Sequence, residues 1–286
     1  MQVGAAIAVS RLAVAEVPPL TLAMLRYVIA VACLAPFAWG GLHAWRAAEP
    51  LHGRVRDHVA IAILGIVQFG VLVALVNIGL QRTGAAEAAL IFSLFPLLTL
   101  LLSASLGRDR MTVPLVGGVL LSIAGVAVAL APKLGLRATA GWWGELAVFA
   151  AAVLGAVCSV LYRPYLRRYP TVPVSALAML ASVAFLGCAA LREDWPARIT
   201  GFSPVAWAAT LFVGVSSAVG FFAWLYALKH ESPTRVTVFL GLNPPTAALV
   251  AWALLGETLH PAVFAGLVLV GAGLWFATRG APVPSR

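Results

Sequence analysis

Apolar stretches of about 20 residues recur along the whole chain, and the charges collect in the short segments between them. An α-helix rises ~1.5 Å per residue, so ~20 apolar residues suffice to cross a ~30 Å hydrocarbon core. The pattern predicts an all-α polytopic membrane protein with ten transmembrane helices, over 1–15, 19–40, 58–81, 84–106, 112–131, 141–162, 172–191, 203–229, 233–255 and 260–278. Prolines mark several starts, at Pro18-Pro19, Pro114, Pro173, Pro204, Pro233 and Pro261. The first helical turn can spare a backbone donor, which makes proline welcome there. Ser203 and Ser232, each just before a proline, are N-cap candidates. The first span, 1–15, reaches only roughly 22 Å, which leaves a start upstream of Met1 or a short first helix as alternatives.

The two halves of the chain echo each other. A shift of 149 residues lays the segment from Gly84 on that from Pro233, matching Pro96 with Pro245, Gly107 with Gly256 and Gly117 with Gly266. A shift of 155 lays LTLAMLRYVIAV, from Leu20, on SALAMLASVAFL, from Ser175, and puts Met1 opposite Ala156. The chain therefore divides into five-helix repeats over 1–131 and 141–279 with a connection over 132–140. Five spans per repeat force the two copies into opposite orientations, as two inverted five-helix repeats. Lys and Arg sort accordingly: 12 fall on the side holding loops 2–3, 4–5, 6–7, 8–9 and the C-terminal tail, five fall on the other, and Arg11 and Arg26 lie within spans. The positive-inside rule then places the C-terminus in the cytoplasm.

Composition adds little to this picture but excludes much. The residues are 62% hydrophobic and 10% charged, with a mean hydropathy of +0.98. A net charge of +9 would suggest a nucleic-acid partner in a soluble protein, but here it follows loop topology. Cys33, Cys158 and Cys188 stand singly in apolar runs, so neither a disulfide framework nor a metal site follows. No P-loop is present to drive ATP hydrolysis, and the Asp and His residues fall in loops or at span ends without converging on a catalytic group. Neither an enzyme nor a cofactor is expected.

The candidate site is the proline-broken span 235–256. Pro244 and Pro245 cannot donate backbone hydrogen bonds, so the carbonyls of Leu240 and Gly241 lose their helical partners. Such groups are tolerable at membrane depth only when buried in protein or lining a cavity. Pro96 repeats the interruption in the first half, and paired interruptions are the best sequence pointer to a transporter's binding site. Asn243 is the strongest single candidate for substrate contact. Gln68 and Asn77 follow, but nine residues apart they point to different sides of one helix, so one of them is expected to face the cavity. Arg11 either contacts solute or snorkels to the surface, and Arg26 either forms a structural pair or meets an anionic substrate. Phe92, Tyr162, Trp224 and Tyr226 are candidate walls for an apolar or aromatic solute. Glu257, at the end of the broken span, is a structural cap or a proton-coupling group.

Two stretches carry a resemblance. LNPPTAALVAWALLGETLHPAVFAGLVLVGAGLWFATR near the end and SRLAVAEVPPLTLAMLRYVIAVACLAP near the start resemble the EamA family of the drug/metabolite transporter superfamily. The most specific parts are P-x-x-A…LLGE-x-L over Pro245–Leu259 and PP-x-x-x-A-x-LR over Pro18–Arg26. The chain departs from the pattern at the front of span 1 and at Ser105–Arg108, which reads SLGR where the family often has GE. The resemblance implies an inverted-repeat, alternating-access carrier that exports metabolites, amino acids or drugs from bacteria. An inner-membrane protein, monomer or homodimer, is expected, with protons the candidate coupling ion. A non-transporting membrane enzyme or scaffold subunit is the alternative.

Overall fold

A computed structural model describes residues 2–47, 51–107, 112–136, 142–230, 236, 243–256 and 261–279. The described residues form helices and no strand. In chain order these are α1 (Gln2–Ala13), α2 (Pro19–Ala47), α3 (Leu51–Gly65), a π-helical turn (Ile66–Val71), α4 (Leu72–Leu80), α5 (Ala85–Phe92), α6 (Phe95–Ser105), α7 (Val113–Leu136), α8 (Trp143–Arg168), α9 (Thr171–Ala190), the short α10 (Trp195–Arg198), α11 (Pro204–His230), α12 (Asn243–Leu255) and α13 (Pro261–Arg279). Six stretches among the described residues are long and apolar enough to cross a bilayer: Pro19–Pro36, Val55–Leu80, Ala85–Ser105, Trp143–Arg168, Thr171–Glu193 and Pro204–His230. The other four predicted spans correspond to shorter apolar helices: Val3–Ala13, Val116–Ala129, Thr246–Leu255 and Pro261–Phe276. Large apolar side chains such as Val219, Trp252 and Val268 stand on the outside of the bundle, as a lipid-facing surface requires.

Packing follows the repeat. α2 lies along α9 and α7 along α13, while α1 touches α11 and α12 as α8 touches α4 and the α5–α6 pair. Exchanging equivalent helices between the halves maps these contacts onto one another. The α7–α13 seam is made of small residues, which let membrane helices approach backbone to backbone. A Cβ on Gly266 would stand 2.5 Å from the Gly125 carbonyl oxygen, and one on Gly273 would stand 2.5 Å from that of Gly118. The pairs 118 with 273 and 125 with 266 run in opposite directions, so the two helices are antiparallel where they touch. Both pairs imply an offset of 148 between equivalent positions, one less than the offset that aligns the prolines. At the centre of the seam Ser122 Oγ donates to the carbonyl of Val270, itself 148 residues on.

Helix starts are held by side chains, some near in sequence and some far along it. The first backbone donors of α2 go to one carboxylate: Leu20 N to Glu193 Oε1 at 3.0 Å and Thr21 N to Glu193 Oε2 at 2.8 Å, joined by Thr21 Oγ1. A carboxylate at a helix N-terminus satisfies orphan N–H groups and meets the positive end of the dipole. Ser203 Oγ accepts from Ala206 N at the start of α11, the N-cap predicted from sequence, and both Ser203 N and Ser203 Oγ donate to Glu16. Glu87 caps α5 through Gly84 N and Thr83 Oγ1. Glu193→Ala is expected to cost about 1–2 kcal/mol, the usual loss for a helix cap. It should appear as a lowered unfolding midpoint in detergent, while Glu193→Gln, which keeps an acceptor, should lose less.

Candidate functional site

Two departures from regular helix shape the interior. In the span Val55–Leu80 the π-helical turn carries Gln68, and the Gly65 carbonyl at its entry accepts from Ser182 Oγ at 2.7 Å. Such turns widen the helix and recur at functional sites. In the next span α5 stops at Phe92 and α6 restarts at Phe95, with Pro96 in its first turn. Pro96 cannot serve the Phe92 carbonyl, so the helix breaks where the sequence predicts. Ser93 closes the gap locally, its Oγ donating to the Leu90 carbonyl.

Around these irregularities lies a cavity of about 90 Å³. Its wall comes from α1 (Val3, Ala6, Ile7, Ser10), α2 (Arg26), the π turn and α4 (Gln68, Leu72, Val73, Val76), the broken span (Phe92, Phe95) and α11 (Gly220, Phe221, Trp224). The wall is mostly apolar and aromatic, with three polar groups. Phe92 stacks on Phe95 with centroids 5.6 Å apart, and Phe95 meets Trp224 edge-on at 5.8 Å. Gly155 of α8 backs this array: a Cβ there would stand 1.9 Å from Phe95 Cε2. Gly4 of α1 is set in the same way against the backbone of Asn243, where a Cβ would lie 2.3 Å from the carbonyl oxygen. α1 and α8 thus each lean through a glycine on the first residue of a proline-bearing helix, Asn243 of α12 and Phe95 of α6.

Arg26 is buried, 8% exposed. Its Nε donates to Ser217 Oγ, and its guanidinium carbon lies 5.8 Å from the ring centroids of both Tyr27 and Phe221. Ser217 can accept because its own hydrogen is donated to the Val213 carbonyl. Ser10 Oγ and Gln68 Oε1 are buried without a hydrogen-bond partner among the described residues. Unpartnered polar atoms at this depth are costly.

The residues singled out from sequence divide. Arg26, Gln68, Phe92 and Trp224 come together in the wall. Asn77 faces elsewhere and donates through Nδ2 to the Pro19 carbonyl at 3.0 Å, so of the two polar residues on this span Gln68 takes the cavity. Tyr162 is buried beyond the wall, its ring 6.5 Å from that of Phe69. Tyr226 is 52% exposed on the outside of α11. Arg11, in the last turn of α1, has a partner of its own and is not a wall residue. Asn243 opens α12 followed by Pro244 and Pro245, and its side chain is buried with Nδ2 unpartnered among the described residues. Leu240, Gly241 and Glu257 lie outside the described residues. Ser10, Phe95 and Phe221 join the wall without having been singled out. The signal that could have found Phe221 is its spacing of three from Trp224 on one helical face.

A helical bundle with lipid-facing sides, an interrupted span and an internal, mostly apolar cavity with a few polar groups is the architecture of an integral membrane protein with room for a small guest. The model of the EamA-like transporter family matches residues 2–131 and again 142–279, and the chain belongs to this family, within the drug/metabolite transporter superfamily. It is 34% identical over 230 residues to a protein of Streptantibioticus cattleyicolor named as a probable terminal-alkyne amino-acid exporter, covering 79% of this chain and 75% of that one. It is 30% identical over 196 residues to an aromatic amino acid exporter of Ancylobacter novellus, covering 62% of this chain and 66% of that one. A solved crystal structure aligns with 97% of this chain and 96% of its own at a TM-score of 0.69 and 25% identity. The protein is a multi-pass membrane protein of a transporter family, and its relatives' names indicate transport rather than enzymatic chemistry.

Proposed function

We propose that the protein is a secondary transporter that exports a small organic metabolite, amino acid or drug across the bacterial inner membrane by alternating access. The carrying observation is the cavity itself. Its wall is drawn from spans of both halves and includes the broken span, so a relative movement of the halves would change access to it. The halves in this reading are 1–131 and 141–279, joined by 132–140 and inserted in opposite orientations as ten spans. The antiparallel α7–α13 seam, the exchange pattern of helix contacts and the two separate family matches support it. Asn243 would flank a second stretch of the path behind α1, because Gly4 of that helix packs on it. The distribution of Lys and Arg supports a cytoplasmic C-terminus.

Purified protein in liposomes should give saturable flux of amino-acid-like solutes, with counterflow when unlabelled solute is placed on the opposite side. Linear, non-saturating flux would indicate a channel, and a chemically altered solute an enzyme. An absence of flux for every solute tried would count for a scaffold role. Repeating the measurement with an imposed pH gradient tests protons as the coupling ion.

A further inference from the structure

The guanidinium of Arg26 has five N–H donors in a planar fork. Its Nε is used on Ser217. Neither Nη nitrogen has an acceptor among the described residues, and Arg26 is one of the residues that line the cavity. Among the described residues no carboxylate lies within ion-pair distance of it. A permanent cation is thus held in the bundle by a hydroxyl and two ring faces. Buried charges are costly without a counter-charge, and the two unpartnered Nη groups, with four N–H donors between them, match the paired oxygens of a carboxylate.

The opposite end of an amino acid finds no such partner. For an ammonium group the described wall offers no charged partner: Ser10 Oγ and Gln68 Oε1 are themselves closed off from open space, and Arg26 repels it. The apolar remainder of a solute meets Phe92, Phe95 and Trp224.

Taking this cavity as the solute site of the function proposed above, we propose that it selects its solute by the carboxylate, through Arg26, and that an α-amino group is tolerated rather than required. The substrate class is then small apolar monocarboxylates, with or without the amino group, and the corresponding amines are excluded.

Calorimetric titration of the full-length protein in nanodiscs tests this with two series: L-leucine, 4-methylpentanoate and 3-methylbutylamine, and L-phenylalanine, 3-phenylpropionate and 2-phenylethylamine. In at least one series the des-amino acid should bind within about tenfold of the amino acid, and the amine at least about 30-fold more weakly, the range expected when a buried charge loses its partner. Arg26→Gln should weaken the acids by at least about 30-fold, with Arg26→Lys, which keeps the charge but loses the fork, in between. Binding of an amine as tight as its acid, or no binding of either des-amino acid to the unsubstituted protein, would overturn the proposal, and neither result depends on a variant folding. Carboxylate-selective binding with no flux in liposomes would remove the transport function and leave the carboxylate site standing.

Discussion

Gly155→Ala is expected to cut transport by at least about tenfold while the protein still inserts in the membrane. The added methyl would fall 1.9 Å from Cε2 and 2.6 Å from Cδ2 of Phe95, with Leu72 Cδ1 only 3.0 Å away. The ring cannot yield sideways, because Phe92 is stacked on it and Trp224 meets it edge-on. It must therefore move into the cavity or push α8 away from the broken span. Overpacking of this kind costs roughly 1–3 kcal/mol, and small displacements of a positioning group can cost on the order of 100-fold in rate. Shortening the obstacle should reverse part of the loss: Gly155→Ala combined with Phe95→Leu should transport better than Gly155→Ala alone. Initial rates in liposomes, normalised to inserted protein, decide the matter. Unchanged rates in Gly155→Ala would mean that Phe95 does not shape the path.

The second large effect should come from the α7–α13 seam. A side chain at Gly266 meets the Gly125 carbonyl oxygen at 2.5 Å and Ala129 Cβ at 2.7 Å, and backbone cannot rotate away as a long side chain can. Gly266→Val is therefore expected to part the helices and cost at least about 1–3 kcal/mol, seen as lower folded yield and a lower unfolding midpoint in detergent. Gly271 is the internal control. It lies on the same helix with nothing within 4 Å of a built Cβ, so Gly271→Ala should be neutral or slightly stabilising, by at most about 1 kcal/mol of helix propensity. Equal loss from both substitutions would show that glycine content, rather than close approach, sets the stability of this helix.

How far the sequence could be read depended on whether an answer needed one helix or several. Apolar runs and their prolines announce helices through local chemistry alone, and the interruption at Pro96 and the cap at Ser203 were legible for that reason. Which way a helix faces is decided by its neighbours. Trp224 and Tyr226 are two residues apart, about 200° around a helix, so both could not face one cavity; burial gave the wall to Trp224. Asn77 was polar and deep, but its donor serves the Pro19 carbonyl. The π turn at Ile66–Val71 has no marker such as proline, and it moves Gln68 off the register that regular spacing assigns. Arg26 could be named from its cost in the membrane, whereas its pairing with Ser217 joins positions 191 residues apart.

The Glu193 carboxylate that closes the start of α2 belongs to the far half of the chain. The 20 residues of α9 that precede it are thereby fastened to α2 at one end, in addition to the packing along their length. In the alternating-access reading proposed above, the α2–α9 pair would move as one strut, latched at one end by this carboxylate, and the remaining helices would absorb the rocking.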